Sequence, residues 1–296
     1  MCLLKSCLAM GLMAWSVNCL SAAEENCQQF QVNNGRLSIP VTIAGTESRA
    51  VINSGILTMG ISSFLAGQLG LDIIEPEPDS RRRGGGLPQL SIVENVPIEV
   101  FGQDIEMEQL YVFDLNAPLV NFSVMMFQDL VVQMDYPQSR ICFLNPATID
   151  LEAAENINMR STRTGAPAIE VKLNDDQDVW LNFQIGYSGG ISIDFETAED
   201  LGFIEEDQED GESAATAEAT TESLVFGPYE LGAINTTYST EENSAQNRPI
   251  PIGGAVRAGR SRNRAVETHG ELGFEILQHF VITIDFNEER MHIFAP

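Results

Sequence analysis

Positive charge is scarce in this chain. Lysine and arginine together number 16 against 43 aspartates and glutamates, for a net charge of −27. So acidic a molecule repels polyanions, which argues against nucleic acid and anionic membrane surfaces as partners. Cationic partners remain open. Long apolar runs are lacking too: past the first 23 residues, no stretch is long and apolar enough to span a bilayer. No His/Cys spacing suggests zinc, and neither a metal nor a cofactor is expected. The few basic residues are almost all arginine. They cluster at Arg81-Arg82-Arg83 and at Arg257, Arg260, Arg262 and Arg264. Both clusters read as solvated loops on a negative body.

Cysteine is sparse and unevenly placed. Of five, Cys2, Cys7 and Cys19 lie in a segment with Lys5, a largely apolar run over 7–17 and the small residues Ser21-Ala22-Ala23. That composition predicts a secretory signal peptide over 1–23 and export to the periplasm, or alternatively to the extracellular space. Cys27 and Cys142 remain in the mature chain. In an oxidising compartment they form either one disulfide or two buried thiols.

What is present is a repeat. The stretch "AVINSGILTMGISSFLAGQLGL" in the first half has a counterpart in "LNFQIGYSGGISIDFETAEDLGF" in the second. Each reads as a strand, a small-residue turn, a Gly-Ile-Ser element, a short helix and Leu-Gly. The halves also close alike, in "FQDLVVQMDYPQSRICF" and "ILQHFVITIDFNEERMHIF". The second half is longer, which fits an insertion in the polar, Arg-rich run 246–264. Short strands, frequent turns and little helix predict a mostly β fold. The expected division is an N-terminal lobe over 24–147, a linker over 148–166 and a C-terminal lobe over 167–296. The acidic, Ala/Thr-rich run 205–221 reads as a mobile loop.

This pattern resembles the aspartic peptidases, and within them the retropepsin-like group of exported bacterial proteins. The resemblance implies two tandem acid-protease-like β-barrel lobes with a cleft between them. The first family motif falls on Asn53-Ser54-Gly55 and the second on Gln184-Ile185-Gly186, continued by Tyr187 and Ser188. The late Leu-Gly element is Leu272-Gly273, and becomes Phe122-Ser123 in the first half. Gly84, Gly85 and Gly86 fall where the family carries a flap over its cleft. The defining acids are absent. An aspartic peptidase needs two adjacent carboxyls that share one proton. Asn53 and Gln184 are neutral amides that accept none. The hydroxyl beside the first acid is kept in kind by Ser54 and lost at Ile185.

The expectation is therefore a pseudoprotease without catalytic residues, binding an extended peptide or protein partner in the cleft through Gly84 to Gly86, Tyr187 and Ser188. With both lobes in one chain, a monomer is expected. Two alternatives stand beside it: an active aspartic endopeptidase with displaced carboxylates, for which Asp72, Asp114 and Asp194 are nearest in sequence, and a structural or assembly module. Gly186-Tyr187-Ser188-Gly189-Gly190 matches the nucleophile elbow of serine hydrolases, but the "ISID" after it alternates like a strand, not the helix that motif needs. An EF-hand register through Glu206, Gln208 and Asp210 fails at Ala217.

Overall fold

The computed structural model describes residues 27–55, 58–76, 90–174, 177–204, 215–240 and 265–296. The signal segment, Gly84 to Gly86 and both arginine clusters lie outside them. The first half contributes β1 (Cys27–Gln29), β2 (Gln31–Asn33), β3 (Arg36–Ile43), β4 (Thr46–Asn53), β5 (Gly60–Ser62), β6 (Ser91–Val100), β7 (Gln103–Phe113), β8 (Val120–Ser123), β9 (Val131–Asp135) and β10 (Arg140–Leu144). The second contributes β11 (Ile157–Ser161), β12 (Pro167–Leu173), β13 (Gln177–Phe183), β14 (Ile191–Ile193), β15 (Thr216–Phe226), β16 (Tyr229–Ser239), β17 (Gly270–Leu272), β18 (Val281–Asp285) and β19 (Arg290–Phe294).

Each half closes into a six-stranded barrel. In the first the order is β3-β4-β8-β5-β7-β6, closed by β3 pairing with β6; in the second it is β12-β13-β17-β14-β16-β15, closed by β12 pairing with β15. The unusual pairings recur in both. β4 runs parallel to β8 and β5 parallel to β7, as β13 does to β17 and β14 to β16. Closure removes the exposed sheet edges that would otherwise invite aggregation. Alternation along the strands fills each interior: Ile39, Ile43, Ile52, Leu110 and Phe122 in one, Ile169, Leu181, Phe183, Ile191 and Phe226 in the other, all buried.

The barrels are joined by a six-stranded antiparallel sheet, β1-β10-β9-β18-β19-β11. Its centre is the β9–β18 pair, where Gln133 lies opposite Thr283 and Gln133 Nε2 donates to Thr283 Oγ1 at 3.1 Å. The flanking hairpins are built alike. Asp135 Oδ1 accepts from the Gln138 N–H at 3.0 Å, and Asp285 Oδ1 from the Glu288 N–H at 2.9 Å. β1 and β10 place Cys27 opposite Cys142, and the two are joined by a disulfide. Segment 148–166 carries a helical turn, Leu151–Ala154, and β11, which bonds to both β19 and β12.

The repeated helix and Leu-Gly have a local cause. Helix Ser63–Gln68 is capped by Ser62, whose Oγ accepts from the Leu65 N–H at 3.2 Å; helix Phe195–Asp200 is capped by Asp194, which accepts from the Thr197 N–H at 2.9 Å. Both stop at a left-handed glycine, Gly70 (φ 67°) and Gly202 (φ 73°).

One expectation is overturned. Residues 216–221 are not loop; they begin the long hairpin of β15 and β16. Low hydrophobicity misled here because a hairpin with a solvated face needs few apolar residues. Thr220 and Thr221 are β-branched, and buried Thr221 shares a hydroxyl–hydroxyl bond of 2.7 Å with Thr236.

Candidate functional site

β4 ends at Asn53 and β13 at Phe183, so each lobe delivers its small-residue turn to the lobe boundary. The pairing registers make the turns equivalent: Ile52 lies opposite Phe122, and Phe183 opposite Leu272. Asn53 and Gln184 therefore occupy matching places, one step beyond.

The two turns meet. Fully buried Ser54 sends its Oγ across the boundary, where it donates to the Phe183 carbonyl and accepts from the Ile185 N–H at 2.9 Å. Ile185 is itself buried and offers nothing in return, so this latch is one-sided. The Gly55 N–H is shared by two amide oxygens, Asn53 Oδ1 at 2.8 Å and Gln184 Oε1 at 3.1 Å. Each amide also lies against the glycine of the other lobe. A Cβ on Gly55 would fall 2.0 Å from Gln184 Nε2, and one on Gly186 would fall 2.7 Å from Asn53 Nδ2. Glycine is required at both for this approach. The centre of the molecule thus holds two neutral amides bonded to one backbone donor. They orient polar groups and transfer no proton.

A carboxyl lies beside them that the sequence motifs did not flag. Parallel pairing sets Glu271 opposite Asn182, with buried Leu272 and Phe183 marking the core face. Glu271 and Gln184 therefore share the opposite face. Glu271 is half-buried; burial raises its carboxyl above the usual range, and a hydrogen bond with Gln184 partly offsets this. The signal was available: Glu271 immediately precedes Leu272-Gly273, and its place beside the motif follows once β17 is paired with β13. The first lobe has Asn121 at the equivalent position, buried, donating to the Thr58 carbonyl at 3.1 Å.

Tyr187 is half-buried. Burial raises its phenol, a bond with Thr237 lowers it, and the charges of Glu271 and Glu275 raise it further. Its ring lies against Gly273, where a Cβ would come within 2.4 Å of Tyr187 Cδ1. Ser188 is part of the lobe contact: a Cβ on Gly35, itself at φ 73°, would sit 2.4 Å from Ser188 Cα. The strand β14 follows it, which leaves no nucleophile elbow. Of the acids nearest in sequence, Asp72 and Asp114 are exposed, and Asp194 caps its helix and pairs with His269 Nδ1 at 3.0 Å. Among the described residues no group of His, Cys, Asp and Glu is arranged to hold a metal ion, and no helix is long and apolar enough to cross a membrane. Among the described residues, two open grooves lie away from these turns. They occupy corresponding places in the two lobes, one lined by Pro40, Arg49 and Glu99, the other by Glu170, Asp178 and Val225.

No family model matches the chain, and no curated protein matches it in sequence. Solved structures do. A retropepsin-like aspartic protease from Rickettsia conorii is 12% identical, with a TM-score of 0.28, over 40% of this chain and 86% of that one. The retroviral protease-like domain of Ddi1 from Leishmania major is 15% identical, with a TM-score of 0.27, over 40% of this chain and 100% of that one. Basic 7S globulin from soybean is 8% identical, with a TM-score of 0.46, over 91% and 94%. The strand registers by themselves define two closed six-stranded barrels with the same strand order.

Proposed function

We propose that this protein is a non-catalytic member of the aspartic-peptidase type, which holds an extended peptide or protein segment between its lobes. The observation that carries the reading is the shared Gly55 N–H. Both amide oxygens accept from it, which supports reading Asn53 and Gln184 as the residues that stand where the resemblance requires two carboxyls. Neither amide accepts a proton or holds a shared one, so the Asp–Asp route to an activated water is closed. Binding needs no such group. Main-chain hydrogen bonds to an extended segment, with pockets for alternate side chains, suffice to hold a strand. The same reading has the chain exported and acting as a monomer in an oxidising compartment; the Cys27–Cys142 disulfide supports the oxidising compartment.

The test is peptidase activity of the purified mature chain on unfolded protein, read by mass spectrometry from pH 3 to pH 7. No cleavage is expected. Pepstatin-sensitive cleavage by the unmodified protein would overturn the reading. The double variant Asn53→Asp with Gln184→Asp is the minimum change for gained activity, and adding Ile185→Thr supplies the second hydroxyl.

A further inference from the structure

We propose that Glu271 makes this site selective for a basic side chain, arginine or lysine, on the extended peptide it binds. The inference rests on the peptide-binding reading above. The two lobes provide an internal comparison. At equivalent positions on the strand beside each turn, the first lobe has Asn121 and the second has Glu271. Asn121 is buried and its amide is spent on the Thr58 carbonyl. Glu271 is only half-buried and is held by the side chain of Gln184, a residue of the turn itself. The site is therefore polar on both sides but charged on one.

Among the described residues, none of the ion pairs involves Glu271: Lys172 pairs with Asp178, His269 with Asp194 and Arg290 with Glu152. A peptide laid across the turns removes more water from a carboxyl that burial already disfavours in its charged form. An apolar or acidic side chain at that point leaves the charge uncompensated, whereas a guanidinium or ammonium restores it with a charge-assisted hydrogen bond. The net charge of −27 draws basic segments to the molecule as a whole, and Glu271 fixes where the basic side chain goes.

The experiment uses the mature full chain and fluorescein-labelled heptapeptide pools, degenerate except for a central arginine, lysine, norleucine or glutamate. Binding is read by fluorescence anisotropy at pH 7. The arginine and lysine pools are expected to bind at least about tenfold more tightly than the norleucine pool, the scale of one charge-assisted pair. Glu271→Gln should abolish that preference, and Glu271→Asp should retain it. Glu106→Gln removes the same charge from an exposed site on the other lobe and should leave the preference intact. Binding of all pools alike, or a preference that survives Glu271→Gln, would overturn this inference and leave the cleft reading standing. Failure of every pool to bind the unmodified protein would overturn the cleft reading itself, and this inference with it.

Discussion

Ser54 bonds twice across the lobe boundary, donating to the Phe183 carbonyl and accepting from the Ile185 N–H. Both partners are backbone groups in a region where water has no access, so removing the hydroxyl leaves each unsatisfied. Such a group costs about 1–3 kcal/mol. Ser54→Ala should therefore lower stability measurably in urea unfolding, while Ser54→Thr, which keeps the oxygen, should change it little. Gly55→Ala acts differently. Its new Cβ meets the end of the Gln184 side chain, a flexible group that moves away at small cost. The expected outcome is near-normal stability with loss of peptide binding, checked by the same unfolding experiment beside an anisotropy titration.

At the scale of elements, the short helix Phe195–Asp200 hangs on Asp194, which caps it and pairs with His269. His269 is raised above its ordinary 6.5, first by its bond with Asp194, against burial that lowers it. Burial pushes Asp194 up, but its hydrogen bonds from His269 and Thr197 together outweigh this and leave it below 3.8. A raised histidine contributes stability that is fully present below pH 6.5 and lost as pH rises through its folded value; a lowered aspartate contributes above pH 3.8 and loses it as pH falls through its folded value. The pair should thus stabilise most between about pH 4 and 6.5. The stability gap between the wild type and His269→Ala should narrow from pH 6 to pH 8, by under about 1 kcal/mol for so exposed a pair. A larger effect is expected at Gly270, whose φ is 155° and where a Cβ would fall 1.8 Å from the Ser192 carbonyl oxygen. Backbone cannot move aside without breaking the β14–β17 ladder. Gly270→Ala should cost on the order of 3 kcal/mol or more, seen as a drop in Tm.

Across the whole molecule, stability depends on the sheet that joins the barrels. The Cys27–Cys142 bond, with a sequence separation of 115, ties the first strand of that sheet to β10. Closing so long a loop contributes on the order of 4–5 kcal/mol by chain entropy. Replacing both cysteines by serine should lower the urea midpoint accordingly, and reductant should do the same to the unmodified protein but leave the variant unchanged. The net charge of −27 opposes compaction by self-repulsion. Adding sodium chloride from 10 to 300 mM should therefore raise Tm, since it screens charges more than a Debye length apart.

The sequence by itself determined a great deal. Alternating strands, the repeated turn–helix–Leu-Gly pattern and the two matching hairpins state a duplicated β fold, because period-two burial and glycine caps are local properties of the chain. It also stated that Asn53 and Gln184 lack acid chemistry, since an amide is an amide in any fold. The order of the strands around each barrel, and the run 216–221 as half of a hairpin, were not legible, because both depend on which strands pair at long range. Glu271 belongs with these. In sequence it is one of many acids, 87 residues after Gln184. Only the parallel pairing of β17 with β13 brings it beside the turn, and only burial there, with Gln184 as its hydrogen-bond partner, sets it apart from the acids that water surrounds.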